Sequence, residues 1–319
     1  ADEREMVKGL IINKFRGDKT ILDPGVEMLE ERSGIPVVGV APYLQIEVED
    51  EDSLTERFDS QQEVGQIDIA VIRVPRISNF TDFNPFENIP GVSLRYVKHI
   101  HELKHPDMVI LPGTKNTMGD LQWMRESGME AAVLKLAAAG TVIFGVCGGY
   151  QMLGNEIDDS CGAETGEVVP GLGLLPVKTV FSLEKHRTRV KGRICAQSGI
   201  WGSVSGCECT GYEIHMGESR ICEENAQGFI QLTNQSDLST RADGCVRENV
   251  AGTYLHGIFD EVGFCGRLIE TLCRQKGMNS AVSGQMSFWE YKQREYDKLA
   301  DVIRENMDME YLYRVMGLA

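Results

Sequence analysis

Short apolar runs alternate with amphipathic segments in the first part of the chain. Residues 7–12 and residues 35–40 are apolar runs, and between them residues 26–32 carry a helical pattern that ends at Gly34. A glycine commonly ends a helix because it adopts the left-handed conformation without strain. The order strand, helix, strand predicts parallel pairing in an α/β unit.

A second α/β series follows a polar region that ends near Gly65. Its predicted elements are strands at residues 67–74, 92–97, 108–111 and 141–146 and a helix at residues 120–139. Residues 168–254 then alternate short β runs with glycine-rich turns. Beyond Gly266 the chain becomes helical, since Tyr296, Leu299 and Val302 share one helix face. We predict three segments, residues 1–62, 66–266 and 267–319.

Composition limits the classes of function. The 319 residues include 32 Lys and Arg against 48 Asp and Glu, a formal charge of −16, which disfavours a nucleic-acid-binding surface. The nine cysteines are scattered and form no C-x-x-C pair, so we expect free thiols and a reducing cytoplasm. No apolar run is long enough to cross a bilayer, and we expect no membrane partner.

Two groups of residues could suggest a metal site, and we expect none at either. Cys207 and Cys209 have no second pair or histidine at ligand spacing. His99, His101 and His105 lie among lysines, and histidines two residues apart would point to different helix faces, so we expect a solvated segment.

The strongest local signal is the pentapeptide GVCGG at residues 145–149. A nucleophile on a sharp strand-to-helix turn needs small neighbours, because the backbone is strained and the substrate must approach closely. The N-terminus of the following helix favours a thiolate at Cys147. The alternative is a buried cysteine at the end of an ordinary core strand.

Two more features complete a candidate catalytic site. His256 ends an apolar run and could serve as the base that a thiol nucleophile needs, although a histidine after a strand is often structural. Gly113 lies in a glycine turn after a strand, where its N–H and that of Gly148 could face a developing oxyanion. The alternative for Gly113 is a plain β-turn.

Together these features resemble the class I glutamine amidotransferases, and specifically the cobyric acid synthase branch. The resemblance runs through nearly the whole chain and is weakest in about the last fifty residues. Four further strings carry it: IINKFRGD at residues 11–18, SNFTDF at residues 78–83, PGVSLRYV at residues 90–97 and GYEIHMG at residues 211–217.

The resemblance implies a mechanism for the glutamine half-reaction. Cys147 would attack the side-chain amide of glutamine while Gly113 and Gly148 hold the oxyanion. His256 would protonate the departing ammonia, and Gln151 matches a position that grips glutamine. The resemblance also implies a class I amidotransferase (flavodoxin-like) α/β domain, preceded by the C-terminal remnant of a dethiobiotin-synthetase-like P-loop domain.

Two departures from the wider class are visible. Many class I enzymes carry a glutamate two residues beyond the histidine, where this chain has Ile258. The resemblance implies that this branch lacks it, so His256 must be oriented by another group. No phosphate-binding loop of the form G-x-x-x-x-G-K-[ST] is present. Asn13 matches an adenine-reading position that would be useful only in a complete protein.

By this resemblance, the chain supplies the ammonia-releasing half of an enzyme that amidates the b, d, e and g carboxylates of adenosylcobyrinic acid a,c-diamide. We expect no cofactor bound by this chain alone, whereas the complete enzyme would use ATP and Mg²⁺. The partners would be glutamine, the corrinoid substrate and the missing N-terminal synthetase part. The alternatives are a cobyrinic acid a,c-diamide synthase, another cysteine amidohydrolase and a non-catalytic relic. For His215, a structural or glutamine-pocket role is favoured over catalysis.

Overall fold

The computed structural model describes residues 2–44, 65–197, 199–278 and 288–318. The strands are β1 (Leu10–Phe15), β2 (Val37–Pro42), β3 (Ile67–Ile72), β4 (Val92–Val97), β5 (Met108–Leu111), β6 (Val142–Val146), β7 (Glu156–Asp158), β8 (Val168–Pro170), β9 (Val177–Ile194), β10 (Glu208–Ile221), β11 (Ile230–Asn234), β12 (Thr240–Asp243), β13 (Cys245–Arg247) and β14 (Val250–Thr253). The α-helices are α1 (Asp2–Met6), α2 (Lys19–Ser33), α3 (Asn84–Glu87), α4 (Ile100–Leu103), α5 (Thr117–Glu126), α6 (Met129–Ala138), α7 (Gly148–Leu153), α8 (Gly199–Gly202), α9 (Val262–Gln275), α10 (Phe288–Asn306) and α11 (Met309–Val315).

The chain forms two compact units, one of residues 1–49 with 289–319 and the other of residues 50–288. In the first unit β1 and β2 pair in parallel, and α2 connects them as predicted. Gly34 ends α2 in the left-handed conformation, with φ of 68°, and its N–H closes the last helical turn. Residues 62–64 of the predicted boundary lie outside the described residues.

The predicted tail of residues 267–319 is divided between the units. Helix α9 lies in the second unit, whereas residues 289–319 belong with the N-terminal strands. The physical reason is backbone pairing: Asp308 N–H donates to Val38 O at 2.7 Å, and Gly39 forms an antiparallel bridge with Met307.

The second unit is organised around a six-stranded sheet with the order β13-β14-β6-β5-β3-β4. All neighbouring strands are parallel except the edge pair of β13 and β14. Every residue of β3, β5 and β6 is buried, as expected for parallel strands with both faces covered. The predicted helix of residues 120–139 is instead two helices, because Gly128 adopts φ of 76° between α5 and α6.

A second sheet follows α7 and has the order β12-β11-β9-β7-β8, with β10 paired to β9. The long antiparallel pair of β9 and β10 accounts for much of the β pattern predicted between residues 168 and 254. Strand β10 also reaches the central sheet, because Tyr212 forms an antiparallel bridge with His256 beyond the end of β14.

The carboxyl ends of β3, β5, β6 and β14 meet at one edge of the central sheet, since the four strands are parallel. Open α/β sheets bind ligands in crevices at this edge. Residues 73–83, 112–117, 147–151 and 254–257 all follow these strands. In the portion of the chain that the structure describes, no helix is both long and apolar enough to cross a membrane.

Candidate active site

Cys147 occupies a strained turn between β6 and α7. Its φ of 51° and ψ of −111° are unusual for a residue with a side chain, and such a conformation costs about 1–3 kcal/mol. The neighbouring glycines make the turn possible. A Cβ at Gly145 would lie 2.7 Å from Tyr150 N, and a Cβ at Gly149 would overlap Leu111 O. The pentapeptide therefore forms the predicted elbow.

The thiol of Cys147 faces a cavity of about 360 Å³. Only 8% of the residue is exposed. Its Sγ donates a hydrogen bond to Ile214 O at 3.5 Å, which holds the sulfur beside β10. Ile214 belongs to the string at residues 211–217, one of the four that carry the family resemblance. The sulfur is thus sheltered but accessible to a small molecule.

His256 meets Cys147 although 109 residues separate them in sequence. Burial alone lowers the pKa of His256, but the Asp82 carboxylate and the Cys147 side chain outweigh it and raise the pKa to about 10. Nε2 is buried and has no hydrogen-bond partner of standard geometry among the described residues. Catalytic hydrogen bonds are often long until substrate binds. The fold thus brings the Cys147 side chain near enough to His256 to raise its pKa, while the roles of nucleophile and base stay predictions.

Asp82 is the group that orients His256, and sequence reasoning did not identify it. Its Oδ2 lies 2.7 Å from His256 Nδ1, and its Oδ1 accepts the N–H of Gly257 at 3.2 Å. The residue is 5% exposed, so the ion pair is shielded from solvent. Asp82 lies in the 3₁₀ turn of residues 80–83, after β3, far in sequence from the position that Ile258 occupies. The string at residues 78–83 was the only signal for it.

Tyr212 covers one face of the His256 ring, whereas Asp82 contacts the ring edge at Nδ1. The two rings stack at 5.1 Å between centroids with an angle of 17°. Asn79 Nδ2 donates to the Tyr212 hydroxyl at 2.5 Å. Gly211 is needed here because a Cβ would overlap His256 O. Two of the four sequence strings therefore converge on the imidazole.

Gly113 and Gly148, the two predicted oxyanion donors, lie on neighbouring segments next to His256 and Thr114. A Cβ on Gly113 would lie 3.3 Å from His256 Cε1, and a Cβ on Gly148 would lie 2.6 Å from Thr114 Cγ2 and 3.3 Å from Thr114 N. The loop after β5 thus packs against the first turn of α7. The structure places both glycines beside Cys147, while their role as oxyanion donors stays a prediction.

Gln151 is buried in the cavity wall, and its amide is hydrogen-bonded to three other residues. Nε2 donates to Met216 O at 3.1 Å and to the Tyr254 hydroxyl at 3.0 Å, and Oε1 accepts from Thr117 Oγ1 at 3.1 Å. With both donors and an acceptor engaged, the side chain shapes the cavity. A direct grip on glutamine stays a prediction.

His215 also lines the cavity. Burial lowers its pKa to about 4, and its Nδ1 lies 3.0 Å from Gly217 O. The ring stacks on Tyr254 with centroids 3.8 Å apart. A neutral, stacked imidazole fits the pocket role that was favoured over catalysis.

The remaining predicted residue, Asn13, lies in the other compact unit. It is exposed near the end of β1, and its Oδ1 accepts the Lys14 N–H at 2.9 Å. Its adenine-reading role stays a prediction. Across residues 2–44, 65–197, 199–278 and 288–318, no group of three or more His, Cys, Asp or Glu side chains is arranged to hold a metal ion.

Comparison with known proteins identifies one family profile and several similar chains. Residues 68–264 match the sequence profile described as CobB/CobQ-like glutamine amidotransferase domain. Two relatives named cobyric acid synthase are similar over 99% of this chain. The one from Ruminiclostridium cellulolyticum is 49% identical and the one from Lachnoclostridium phytofermentans is 48% identical. A solved structure of PurLQS from Thermotoga maritima has a TM-score of 0.48 at 19% identity, covering 66% of this chain and 99% of that one.

The chain spans 62% and 63% of the length of these two relatives. The matched profile, in contrast, covers more than half of this chain and includes all the residues that meet at the elbow. Asp82, Cys147 and His256 lie within the matched range, whereas Asn13 lies outside it.

Proposed function

Because the chain belongs to the CobB/CobQ-like glutamine amidotransferase family, we propose that the second unit hydrolyses glutamine and releases ammonia. The observation that carries this proposal is the surroundings of His256: the Asp82 carboxylate lies 2.7 Å from Nδ1, and the Cys147 side chain is among the groups that raise the histidine pKa. Cysteine, histidine and a carboxylate in this order form a nucleophile, a base and an orienting group. All nine cysteines are unpaired, and we place this activity in the cytoplasm.

In the proposed reaction, a raised histidine pKa keeps His256 protonated at neutral pH. A positive charge beside a cysteine favours the nucleophilic thiolate. The sulfur of Cys147 attacks the amide carbon of glutamine, and the carbonyl oxygen becomes an oxyanion that accepts the N–H groups of Gly113 and Gly148. The C–N bond then breaks, and His256 gives its proton to the departing nitrogen, which leaves as ammonia.

The second half-reaction regenerates the enzyme. His256, now neutral, accepts a proton from water as the water oxygen attacks the thioester carbon. The C–S bond breaks, glutamate leaves and Cys147 returns to the thiolate. Asp82 holds Nδ1 throughout, which keeps Nε2 directed at the reacting atoms.

We further propose that the complete protein delivers this ammonia to corrin-ring carboxylates b, d, e and g, with ATP and Mg²⁺ serving a synthetase part that this chain largely lacks. The similarity to two proteins named cobyric acid synthase supports this substrate. We expect no productive ATP binding by this chain alone. Supplying the complete protein with adenosylcobyrinic acid a,c-diamide, glutamine and ATP should yield cobyric acid by mass spectrometry. Accumulation of the a,c-diamide from cobyrinic acid would favour the diamide synthase.

The glutaminase proposal is tested by glutamate release from glutamine. The wild-type chain should release glutamate, and Cys147→Ala should release none above background because the nucleophile is gone. Cys195→Ala is the matched control, since Cys195 is an exposed free thiol outside the cavity. Equal release by wild type and Cys147→Ala would overturn the assignment.

A further inference from the structure

Strand β9 carries a row of cations on one face of the second sheet. The row alternates along the strand and consists of Lys185, Arg187, Arg189, Lys191 and Arg193. Successive side chains of a strand point to opposite faces, so these five share one face, and all five are exposed. The basic row is about 26 Å long, since a strand rises ~3.3 Å per residue. It concentrates positive charge on a chain whose net charge is −16.

The neighbours of the basic row leave its charge almost uncompensated. Residues directly opposite each other on antiparallel strands share a face. On β10 the residues opposite the row are Glu208, Thr210, Tyr212, Ile214 and Met216, and only the first is charged. On β11 the residues opposite Arg193 and Lys191 are Gln231 and Thr233. Among the residues that the structure describes, none of the five cations forms an ion pair.

The basic row begins at the candidate active site. Lys185 lines the cavity beside Cys147, and so does Ile214, which lies on the same face of the sheet. Tyr212, also on this face, stacks on the His256 ring and is 37% exposed. One continuous face therefore runs from the cavity in which ammonia would be released outwards along β9.

The chemistry of the proposed ammonia acceptor matches this face. Adenosylcobyrinic acid a,c-diamide carries the b, d, e and g carboxylates on the rim of one macrocycle, so it presents several negative charges at separate points. Cations about 6.6 Å apart, the spacing of alternate strand residues, can pair with more than one of these carboxylates at once. Three of the five are arginines, whose planar guanidinium binds a carboxylate through two parallel hydrogen bonds.

Two other classes of anion fit the basic row less well. The phosphates of a nucleotide are contiguous, and proteins hold them at glycine-rich loops and helix N-termini rather than along a strand. A nucleic acid would be repelled by the rest of a chain whose net charge is −16. A ligand with several separated carboxylates is therefore favoured.

We propose that the basic row on β9 binds the polycarboxylate rim of the corrinoid acceptor. The cations hold one side of the macrocycle near the mouth of the Cys147 cavity, which leaves the carboxylates on its other side for the synthetase part of the complete protein. This inference rests on the proposed function, because it takes a corrinoid with free carboxylates as the acceptor. It gives the second unit a task in acceptor binding besides glutamine hydrolysis.

Binding to this chain is measured by equilibrium dialysis, with the absorbance of the corrin as the readout. The two ligands are adenosylcobyrinic acid a,c-diamide and adenosylcobyric acid, in which the b, d, e and g carboxylates have become amides. The variant Arg187→Gln/Arg189→Gln removes two charges and keeps polar side chains. The control is Lys178→Gln, on the same strand but outside the basic row, where the lysine pairs with Glu156 at 3.3 Å.

The wild-type chain should bind the diamide at low ionic strength. The double variant should bind it about 5- to 30-fold more weakly, because each exposed ion pair contributes modestly. Adenosylcobyric acid should bind the wild type at least about 10-fold more weakly than the diamide does, and Lys178→Gln should match the wild type. Added salt should weaken diamide binding, because exposed charge pairs are screened.

Four results would overturn the proposal. The first is the absence of saturable diamide binding, and the second is an unchanged affinity in the double variant. The third is equal affinity for the two corrinoids, since the macrocycle and not its charge would then be recognised. The fourth is equally tight binding of tetraglutamate, which has several carboxylates but no macrocycle and would make the basic row a contact for an acidic protein segment.

Failure of the proposed function has a different signature. The wild-type chain would then release no glutamate from glutamine, or the complete protein would form no cobyric acid, whatever binds to β9. A wild-type chain that releases glutamate but does not bind the diamide would refute the acceptor site alone.

Discussion

Replacing Asp82 by Asn tests the arrangement at the centre of the site. The substitution keeps size and shape but removes the negative charge next to His256 Nδ1, 2.7 Å away. The other carboxylate oxygen accepts the Gly257 N–H. An asparagine that keeps its oxygen on Gly257 turns its NH₂ towards Nδ1, which forces the imidazole proton onto Nε2, the nitrogen that acts as the base in the proposed mechanism. The variant therefore loses both the charge and the correct tautomer.

The expected magnitude follows from the histidine pKa. Burial lowers it, while Asp82 and then Cys147 raise it to about 10, against about 6.5 in water. Without the carboxylate, burial dominates and the pKa falls. A fall of two units corresponds to about 3 kcal/mol of lost preference for the imidazolium. We expect kcat/KM for glutamate release to fall roughly 10²–10⁴-fold at neutral pH, the upper figure being the loss reported for the equivalent change in a serine protease.

The raised pKa of His256 also determines how the free energy of unfolding changes with pH. A folded-state pKa raised above the unfolded value stabilises the protein fully below about pH 6.5, and this stabilisation is lost as the pH rises towards 10. The difference in unfolding free energy between wild type and Asp82→Asn should therefore be largest in mildly acidic solution and should shrink in alkaline solution. The alkaline limb of the kcat/KM profile should move to lower pH by about one unit or more.

The matched control is Asp68→Asn, another buried aspartate. Asp68 accepts two hydrogen bonds from Arg95, at 2.7 and 2.8 Å, away from the cavity. This variant should lose thermal stability without a change in the pH profile of activity. A coupled assay of glutamate release from pH 5 to pH 10, with thermal melts at the same pH values, measures both. An Asp82→Asn profile that overlies the wild-type profile, with only a lower Tm, would refute the orienting role.

Two further predictions concern the elbow and the loop of residues 159–166. Gly148→Ala places a Cβ 2.6 Å from Thr114 Cγ2. We expect glutamate release to fall about 10²–10³-fold, because the backbone N–H of residue 148, a proposed oxyanion donor, shifts. The control Gly263→Ala, where a Cβ meets nothing within 4 Å, should retain full activity. The Asp159 carboxylate accepts hydrogen bonds from four backbone N–H groups, those of residues 163, 164, 165 and 166. Burial raises the pKa of Asp159, but these hydrogen bonds outweigh burial and lower the pKa to about 2. The stabilisation by the Asp159 carboxylate is therefore complete above about pH 4 and is lost as the pH falls through 2. Asp159→Asn should reduce the free energy of unfolding at pH 7 by about 3 kcal/mol, as measured in a denaturant titration. An unchanged denaturation midpoint would contradict this reading of the loop.

Much of the molecule follows from local sequence. The apolar runs at residues 92–97 and 108–111 are strands with those bounds, and Gly34 ends α2 as predicted. The need for glycine at Gly145 is local, because a Cβ there would meet Tyr150, whereas Gly148 and Gly149 are crowded by Thr114 and Leu111 from another segment. Periodicity did not reveal the break at Gly128, since a glycine inside a helical pattern can also be tolerated without a break.

Only the tertiary structure decided which residue orients His256. The sequence shows Ile258 where a carboxylate is common and offers no rule for its replacement, because Asp82 is 174 residues away and reaches the ring from the end of another parallel strand. The same holds for the C-terminal helices, which join the first unit through backbone bonds to β2. Local patterns determine elements and turns, whereas the convergence of parallel strand ends determines which side chains from distant segments meet.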